Sequence, residues 1–203
     1  MMRDLRLGIV LLAAGGSQRL GKPKQLLPYK GTSLIRHAAV TAMISDHPAV
    51  AVLGAHADEV RRELCDLSID SVVNTEWEDG IGKSISKGVA AIRKNYPDLE
   101  AVIIMLCDQP GVSPETIARL AEKHRQTGLP IVASSYGGTK GVPALFGYEM
   151  FGELLALEGD NGAKCLIEKY DESLVTLVHA PEAAFDVDTE KDVKQLSEMK
   201  AFA

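Results

Sequence analysis

The stretch Leu7-Gly8-Ile9-Val10-Leu11-Leu12-Ala13-Ala14-Gly15-Gly16-Ser17-Gln18-Arg19-Leu20-Gly21-Lys22-Pro23-Lys24-Gln25-Leu26-Leu27 decides the fold. Its apolar first part reads as a strand buried on both faces, as in a parallel sheet. The run breaks at paired glycines and continues as a cationic loop, which places that loop at the strand's carboxyl end. Glycines let backbone N–H groups approach an anion closely, and successive N–H groups can form an anion-holding nest. Arg19 adds a planar fork for phosphate oxygens, and Lys24 adds a point charge on a flexible stem. In open α/β sheets ligands bind outside the carboxyl ends of the strands, so position and chemistry agree. The stretch reads as the triphosphate-holding loop of a nucleotide-using protein.

Two other glycine loops fit the residues less well. A Walker loop needs Gly-Lys followed by Ser or Thr, and Pro23 stands where the hydroxyl must be. A dinucleotide fingerprint needs Gly-x-Gly-x-x-Gly opening a helix, whereas Gly15 and Gly16 are adjacent and a proline-containing basic loop follows. The plainer alternative is a strand-to-helix turn with solvated charges. Three Gly, one Arg and two Lys between residues 15 and 24 weigh against it.

Outward from this loop, strand and helix patterns alternate. The spacing predicts strands over 7–14, 49–53, 71–73, 101–106, 131–134 and 173–178, and helices over 33–44, 57–64, 81–94, 114–126, 148–156, 162–169 and 189–199. Ser113 before Pro114 reads as a helix N-cap followed by proline at the first helical position. Near-continuous apolar strands separated by helices indicate an α/β fold with a mostly parallel sheet covered on both faces. Residues 135–146, with Gly137-Gly138-Thr139-Lys140-Gly141 at their centre, read as a loop or hairpin over the active face. The 203 residues suit one domain spanning 1–203.

Composition narrows the function classes. A formal net charge of -6 disfavours a nucleic-acid surface built on phosphate contacts, while leaving room for a local basic pocket. Cys65, Cys107 and Cys165 are widely spaced and form neither a disulfide framework nor a zinc pattern. The apolar run after Arg3 is too short to span a bilayer, so no membrane role and a cytoplasmic location are expected.

Two acidic segments complete the candidate chemistry. Ile103-Ile104-Met105-Leu106-Cys107-Asp108-Gln109-Pro110 is an apolar strand with a carboxylate at its exit. Burying that charge within the strand is costly, which puts Asp108 at the sheet edge that carries the glycine loop. Mg2+ takes one or two carboxylates plus phosphate oxygens and water, so Asp108 is either a metal ligand or a turn residue before Pro110. In Phe185-Asp186-Val187-Asp188-Thr189, alternation puts Asp186 and Asp188 on one side and Val187 on the other. Either acid caps the helix that follows or supplies a second carboxylate. Between them, Asn74, Ser84 and the amides opening the 81–94 helix can receive a base or sugar, and Trp77 either packs that loop or stacks on a ligand. The polar turn 157–164 reads as a loop with a helix cap. Among the histidines none stands with a partnered nucleophile in a triad order.

These segments, taken together, resemble the nucleotidyltransferase superfamily that includes molybdenum cofactor cytidylyltransferases, the MocA-like group within the MobA-like NTP transferases. The matching pieces are the loop from Leu12 to Pro28, Asn74-Thr75-Glu76-Trp77 with Gly80 and Ser84, and Leu106-Cys107-Asp108-Gln109-Pro110. Gly141-Val142-Pro143-Ala144-Leu145-Phe146, Glu158-Gly159-Asp160-Asn161-Gly162-Ala163 and Asp186-Val187-Asp188-Thr189 follow in the family's order. The resemblance implies a three-layer Rossmann-like nucleotidyltransferase fold with a mostly parallel mixed sheet of seven or eight strands. It implies that Leu12, Ala13, Ala14, Gly15 and Gly16, with Asn74 and Ser84, meet the nucleotide. Arg19, Lys24 and Asp108 would be the catalytic groups, and Asp108 with Asp188 would hold Mg2+. The implied reaction transfers CMP from CTP to molybdenum-bound molybdopterin with release of pyrophosphate. It implies CTP and a molybdopterin-type acceptor as partners, a recipient molybdoenzyme or its chaperone after them, and no nucleic acid. Leu-Ala-Ala-Gly at the first motif resembles the cytidylyl rather than the guanylyl side. Val142 departs from the family, which often carries a histidine before this proline. Transfer from GTP, transfer to a sugar phosphate, and a non-catalytic maturation factor that binds nucleotide or cofactor are the alternatives.

Overall fold

The computed structural model describes residues 5–45 and 47–199. In chain order come β1 (Leu7–Ala13), a short hairpin of β2 (Pro28–Tyr29) and β3 (Thr32–Ser33), α1 (Leu34–Ile44), β4 (Ala49–Leu53), α2 (Ala57–Glu63), β5 (Asp70–Val73) and α3 (Ile81–Asn95). Then follow β6 (Ala101–Leu106), α4 (Pro114–Thr127), β7 (Ile131–Tyr136), β8 (Thr139–Gly147), α5 (Phe151–Leu155), α6 (Ala163–Lys169), β9 (Val175–His179) and α7 (Glu190–Met199). Seven of these strands form one sheet in the order β5-β4-β1-β6-β8-β7-β9. All run the same way except β8, which is antiparallel to β6 and β7. With helices on both faces, this is the three-layer α/β arrangement expected from the sequence.

The period of two along β1 divides the core. Leu7, Ile9, Leu11 and Ala13 point into one cluster with Ile35 and Ala39 of α1, Val60 of α2 and Ile117 and Leu120 of α4. Val10, Leu12 and Ala14 point into the other, with Ile85, Val89 and Ile92 of α3 and Leu166 and Ile167 of α6. Each face therefore needs its own helical cover. The close fit of α3 depends on Gly88, where an added Cβ would lie 2.4 Å from Val10. Ser113 caps α4 as expected, accepting from the Thr116 amide.

A third cluster has a different task. Leu20, Leu27, Tyr29 and Leu34 from the amino-terminal region bury themselves with Val187 and Leu196 from the carboxyl-terminal region. Val187 is thus the apolar anchor that brings the last acidic segment to the glycine loop, 160 or more residues away in sequence.

One segment differs from its sequence reading. Residues 135–146 do form a hairpin, from the end of β7 into β8, but instead of lying over the active face its second arm sits inside the sheet between β6 and β7. Pairing passes from Ala133–Ala144 directly to Ser134–Gly141, so Val142 and Pro143 bulge out of register. A bulge is where a sheet can accept proline, which has no N–H for the ladder. The Val142–Pro143 bond is cis, and the Ser134 hydroxyl donates to the Pro143 carbonyl at 2.6 Å.

Among the described residues, no helix is long and apolar enough to cross a membrane.

Candidate functional site

The carboxyl ends of β1 and β6 lie side by side, pairing in register from Leu7–Ala101 to Leu12–Leu106. The glycine loop and Asp108 therefore emerge next to each other. Ser17 takes a positive φ of 53° and turns the loop back on itself, its carbonyl accepting from the Leu20 and Gly21 amides. Its hydroxyl accepts from the Lys24 amide at 3.0 Å. Buried Gln25 donates to the carbonyls of Ala13 and Gly15 at 3.0 and 2.7 Å, which fixes the strand exit and the first glycine together. The N–H groups of Gly15 and Gly16 donate to no acceptor among the described residues, so they are available to an anion.

The last acidic segment arrives on the other side of this loop. Neither Asp186 nor Asp188 caps α7. Asp192 reaches back instead and accepts from the amides of Asp188 and Thr189 at 3.1 and 2.8 Å. With Val187 buried in the third cluster, alternation turns the carboxylates of Asp186 and Asp188 toward Asp108. The Val187 amide donates to the Asp108 carbonyl at 3.0 Å, so the two acidic segments are tied through their main chains as well.

Lys24 stands at the centre. Its Nζ donates to Oδ2 of Asp108 and, at 2.7 Å, to Oδ1 of Asp188. Arg19 takes the other oxygen of Asp188 at 2.8 Å while remaining 72% exposed. Burial alone would lower the Lys24 pKa. The Asp108 charge and the hydrogen bonds to both carboxylates outweigh it and hold the ammonium well above the ordinary lysine range. Burial would raise the Asp188 pKa, but Lys24 and then Arg19 outweigh that and lower it. At Asp186 the Lys24 charge is the weakest influence and is outweighed. Loss of water around its carboxylate, and then the Asp108 charge, push its pKa up to about 6. The Cys107 thiol is fully buried beside Asp108 and its pKa is raised by burial first, so it is no nucleophile.

Two connected spaces open on this cluster. A recess of about 200 Å³ is lined by Leu12, Ala13, Ala14, Gly15, Ser84 and Asp108 together with Lys24, Gln25 and Trp77. A cleft of about 550 Å³ continues from it along Gly15 to Arg19, past Lys24 and Asp188. Gly16 belongs to the cleft, where its missing Cβ lets the Trp77 ring come close: an added Cβ would sit 2.8 Å from that ring. Asn74 lines neither space. It is fully buried, donating to the Ser84 hydroxyl at 3.0 Å and accepting from the Glu76 amide at 3.0 Å, so it reaches the recess only through Ser84. Asp160, from the polar turn before α6, lines the cleft. That turn docks on α3 through Gly82 N–H and the Gly159 carbonyl at 2.9 Å.

The fit of a divalent cation can be judged from the donors. Oδ1 of Asp108 is buried without a hydrogen-bond partner, and the two carboxylates that face Lys24 offer hard oxygens. Among the described residues no group of three or more His, Cys, Asp or Glu side chains is arranged to hold a metal by itself. Two carboxylates completed by phosphate oxygens and water is how Mg2+ is usually held, so the residues fit that cation as part of a nucleotide complex. The side chains of Gln25 and Gln109 are the functional neighbours that sequence reasoning passed over. A glutamine carries no spacing rule, and its position beside a motif residue was the one available signal.

Residues 9–174 match the family model described as the MobA-like NTP transferase domain. Nicotine blue oxidoreductase of Paenarthrobacter nicotinovorans is 45% identical over 121 residues, which are 57% of this chain and 56% of that protein. The match thus spans just over half the length of this relative. The crystal structure of Rv0371c from Mycobacterium tuberculosis H37Rv superimposes with a TM-score of 0.83 at 32% identity, covering 96% of this chain and 98% of that one. The same protein is also known as a manganese complex, with a TM-score of 0.78 at 30% identity and coverage of 95% and 98%. A nucleotidyl transferase from Methanothermobacter thermautotroptrophicus shares the fold at 20% identity, with a TM-score of 0.78 and coverage of 96% and 97%.

Proposed function

The chain belongs to the MobA-like NTP transferase domain family, and from that premise we propose that it is a Mg2+-dependent nucleotidyltransferase that moves CMP from CTP to molybdenum-bound molybdopterin, releasing pyrophosphate. The proposal takes residues 1–203 as one nucleotidyltransferase domain acting in the cytoplasm. The observation that carries it is Lys24 bridging Asp108 and Asp188 beside an open glycine loop. The choice of CTP is supported by the Leu12-Ala13-Ala14-Gly15 wording of the loop.

In this reading the amides of Gly15 and Gly16 receive phosphate oxygens, and the recess beside Ser84 receives the base and ribose. Asp108 and Asp188 hold the cation. When bound, Mg2+ supplies charge neutralisation along the triphosphate and a template for the phosphates. Lys24, released from the carboxylates, and Arg19 turn to the phosphates. A terminal phosphate oxygen of the acceptor forms a bond to the α-phosphorus as the bond to pyrophosphate breaks. The protein supplies alignment and fixed positive charge, and no side chain forms a covalent bond. Val142 presents its carbonyl rather than its side chain at the place where the family often has histidine. That carbonyl accepts from Tyr136 at 2.9 Å and from Gln109 at 3.3 Å, and the side chain packs on the core.

Pyrophosphate release with CTP, GTP, ATP and UTP in the presence of purified molybdenum cofactor tests the proposal. Release with CTP supports it, release with GTP alone reassigns the base, and no release with any nucleotide favours a binding role. A second reading, oxidoreduction, is favoured by the 45% identity to nicotine blue oxidoreductase. It predicts turnover that needs an added reductant or oxidant and releases no pyrophosphate.

A further inference from the structure

Gln109 follows Asp108 directly and is 3% exposed. Its side-chain amide donates to the Ala183 carbonyl at 3.0 Å and to the Val142 carbonyl at 3.3 Å. One buried amide thus joins three segments that are distant in sequence: the exit of β6, the bulge of β8, and the turn that leads to Asp186 and Asp188. Its Oε1 is buried without a partner, which leaves the NH2 end as the half of the amide that makes the junction. The main chain follows the same contact. Gly111 lies against the Glu182 carbonyl so closely that a Cβ there would be 2.2 Å from that oxygen. On its far side the same turn is clamped to α4, where Glu182 accepts from the Thr116 hydroxyl at 2.7 Å and from Arg119.

From these contacts we propose that Gln109 is a positioning residue for the two metal-holding carboxylates. Its amide sets where the 183–188 segment lies relative to the strand end, and so sets the separation of Asp188 from Asp108. The inference rests on the nucleotidyltransferase reading for its meaning in catalysis, but it makes a claim about cation binding that can be measured without turnover. A bond from a neighbouring group that orients a metal ligand is worth about 10–100-fold in metal affinity or activity. The amide also holds the carbonyl of Val142, so the bulge of β8 and the turn before the two acids share one fixed point.

The test compares Gln109→Met with Glu182→Gln. The first keeps the side-chain length and removes the donor. The second loosens the same turn from its outer clamp and leaves Gln109 intact. Mn2+ binding is titrated by electron paramagnetic resonance in the presence of CTP, alongside thermal melting and steady-state kinetics. Gln109→Met is expected to weaken Mn2+ binding about tenfold and lower kcat by at least that factor, with the KM for CTP within about threefold. Glu182→Gln is expected to lower the melting temperature while Mn2+ binding stays within about twofold of the parent. Should Gln109→Met not fold, Gln109→Glu takes its place, since it keeps the size and sets an acceptor against two carbonyls. Unchanged Mn2+ binding in the Gln109 variant, or equal weakening in both variants, would overturn the inference. A parent that binds Mn2+ but releases no pyrophosphate sinks only the transfer reading. A parent that binds no Mn2+ with CTP sinks the metal reading and this inference with it.

Discussion

Both ends of the sheet carry cavities, and one of comparable size opens at the end without the candidate residues. At the amino ends of β1 and β6, about 590 Å³ opens between Leu5, Leu7, Tyr96 and Leu99. At the carboxyl ends, the recess and cleft measure about 200 and 550 Å³. The charges differ more than the volumes. Arg6 at the amino end meets Glu100 at 3.3 Å and Asp98 at 3.5 Å, with all three side chains at least 38% exposed. Such pairs contribute about 0–1 kcal/mol. Lys24 and Asp108 at the carboxyl end are only 16% and 11% exposed, and removing one partner of a buried pair costs about 3–5 kcal/mol because the other is stranded. Each end also has a buried atom without a partner, Nε of Arg6 and Oδ1 of Asp108. The Arg6 guanidinium pairs through its other nitrogens with exposed acids, whereas Asp108 pairs through its other oxygen with the buried Lys24. Desolvated charge with capacity left over, rather than volume, marks the end where chemistry belongs.

Substitutions can break or sharpen this contrast. Asp108→Asn should reduce pyrophosphate release by about 10²–10³-fold, the scale on which transition-state charge stabilisation acts. The melting temperature should also fall, because the buried Lys24 ammonium is left with Asp188 as its one remaining carboxylate. A variant as fast as the parent would remove Asp108 from the metal. Lys24→Met should lower turnover about a hundredfold and destabilise the cation-free protein by about 3 kcal/mol. It should also bind Mn2+ more tightly in the absence of nucleotide, since the ammonium no longer holds both carboxylates. Weaker Mn2+ binding in that variant would mean that Lys24 supports the cation rather than standing in its place.

Asp186→Asn sharpens the contrast through pH. A folded pKa of about 6, above the usual carboxylate value of 3.8, means that ionising Asp186 disfavours the folded state. Stability from this group is therefore complete below the ordinary pKa and declines as pH rises through about 6. The variant should melt higher than the parent at pH 7.5 and lose that advantage by pH 4. An advantage independent of pH would contradict the assignment. Arg6→Met, at the other end, should leave turnover unchanged and shift stability by no more than about 1 kcal/mol. A large loss of activity there would undo the comparison of the two ends.

Much of this was legible in the residues, for identifiable reasons. The strand Leu7–Ala13 and its glycine loop announce themselves because an apolar run cannot continue through Gly15-Gly16. Asp108 does so because a carboxylate must leave a buried strand. The alternation around Val187 correctly put Asp186 and Asp188 on one side. Strand β8 was hidden because Gly141 and Pro143 interrupt its pattern, and only a bulge inside the sheet accommodates them. The amides of Gln25 and Gln109 were hidden for another reason. Each acts on carbonyls, which every residue possesses, so nothing in the composition of the partners marks the contact. Asn74 was legible as a polar residue at a strand exit, but its commitment to Ser84 and Glu76 depends on a turn geometry that spacing does not specify.

The central claim is that Asp108 and Asp188 share one divalent cation with a triphosphate seated on the glycine loop. A crystal structure of the protein with Mn2+ and a non-hydrolysable CTP analogue, with the metal located by anomalous scattering, tests it most directly. The account predicts manganese bonded to both carboxylates and to phosphate oxygens, with Lys24 turned from the acids to the phosphates. Manganese bound away from either carboxylate, or nucleotide seated at the amino-end cavity, would contradict it.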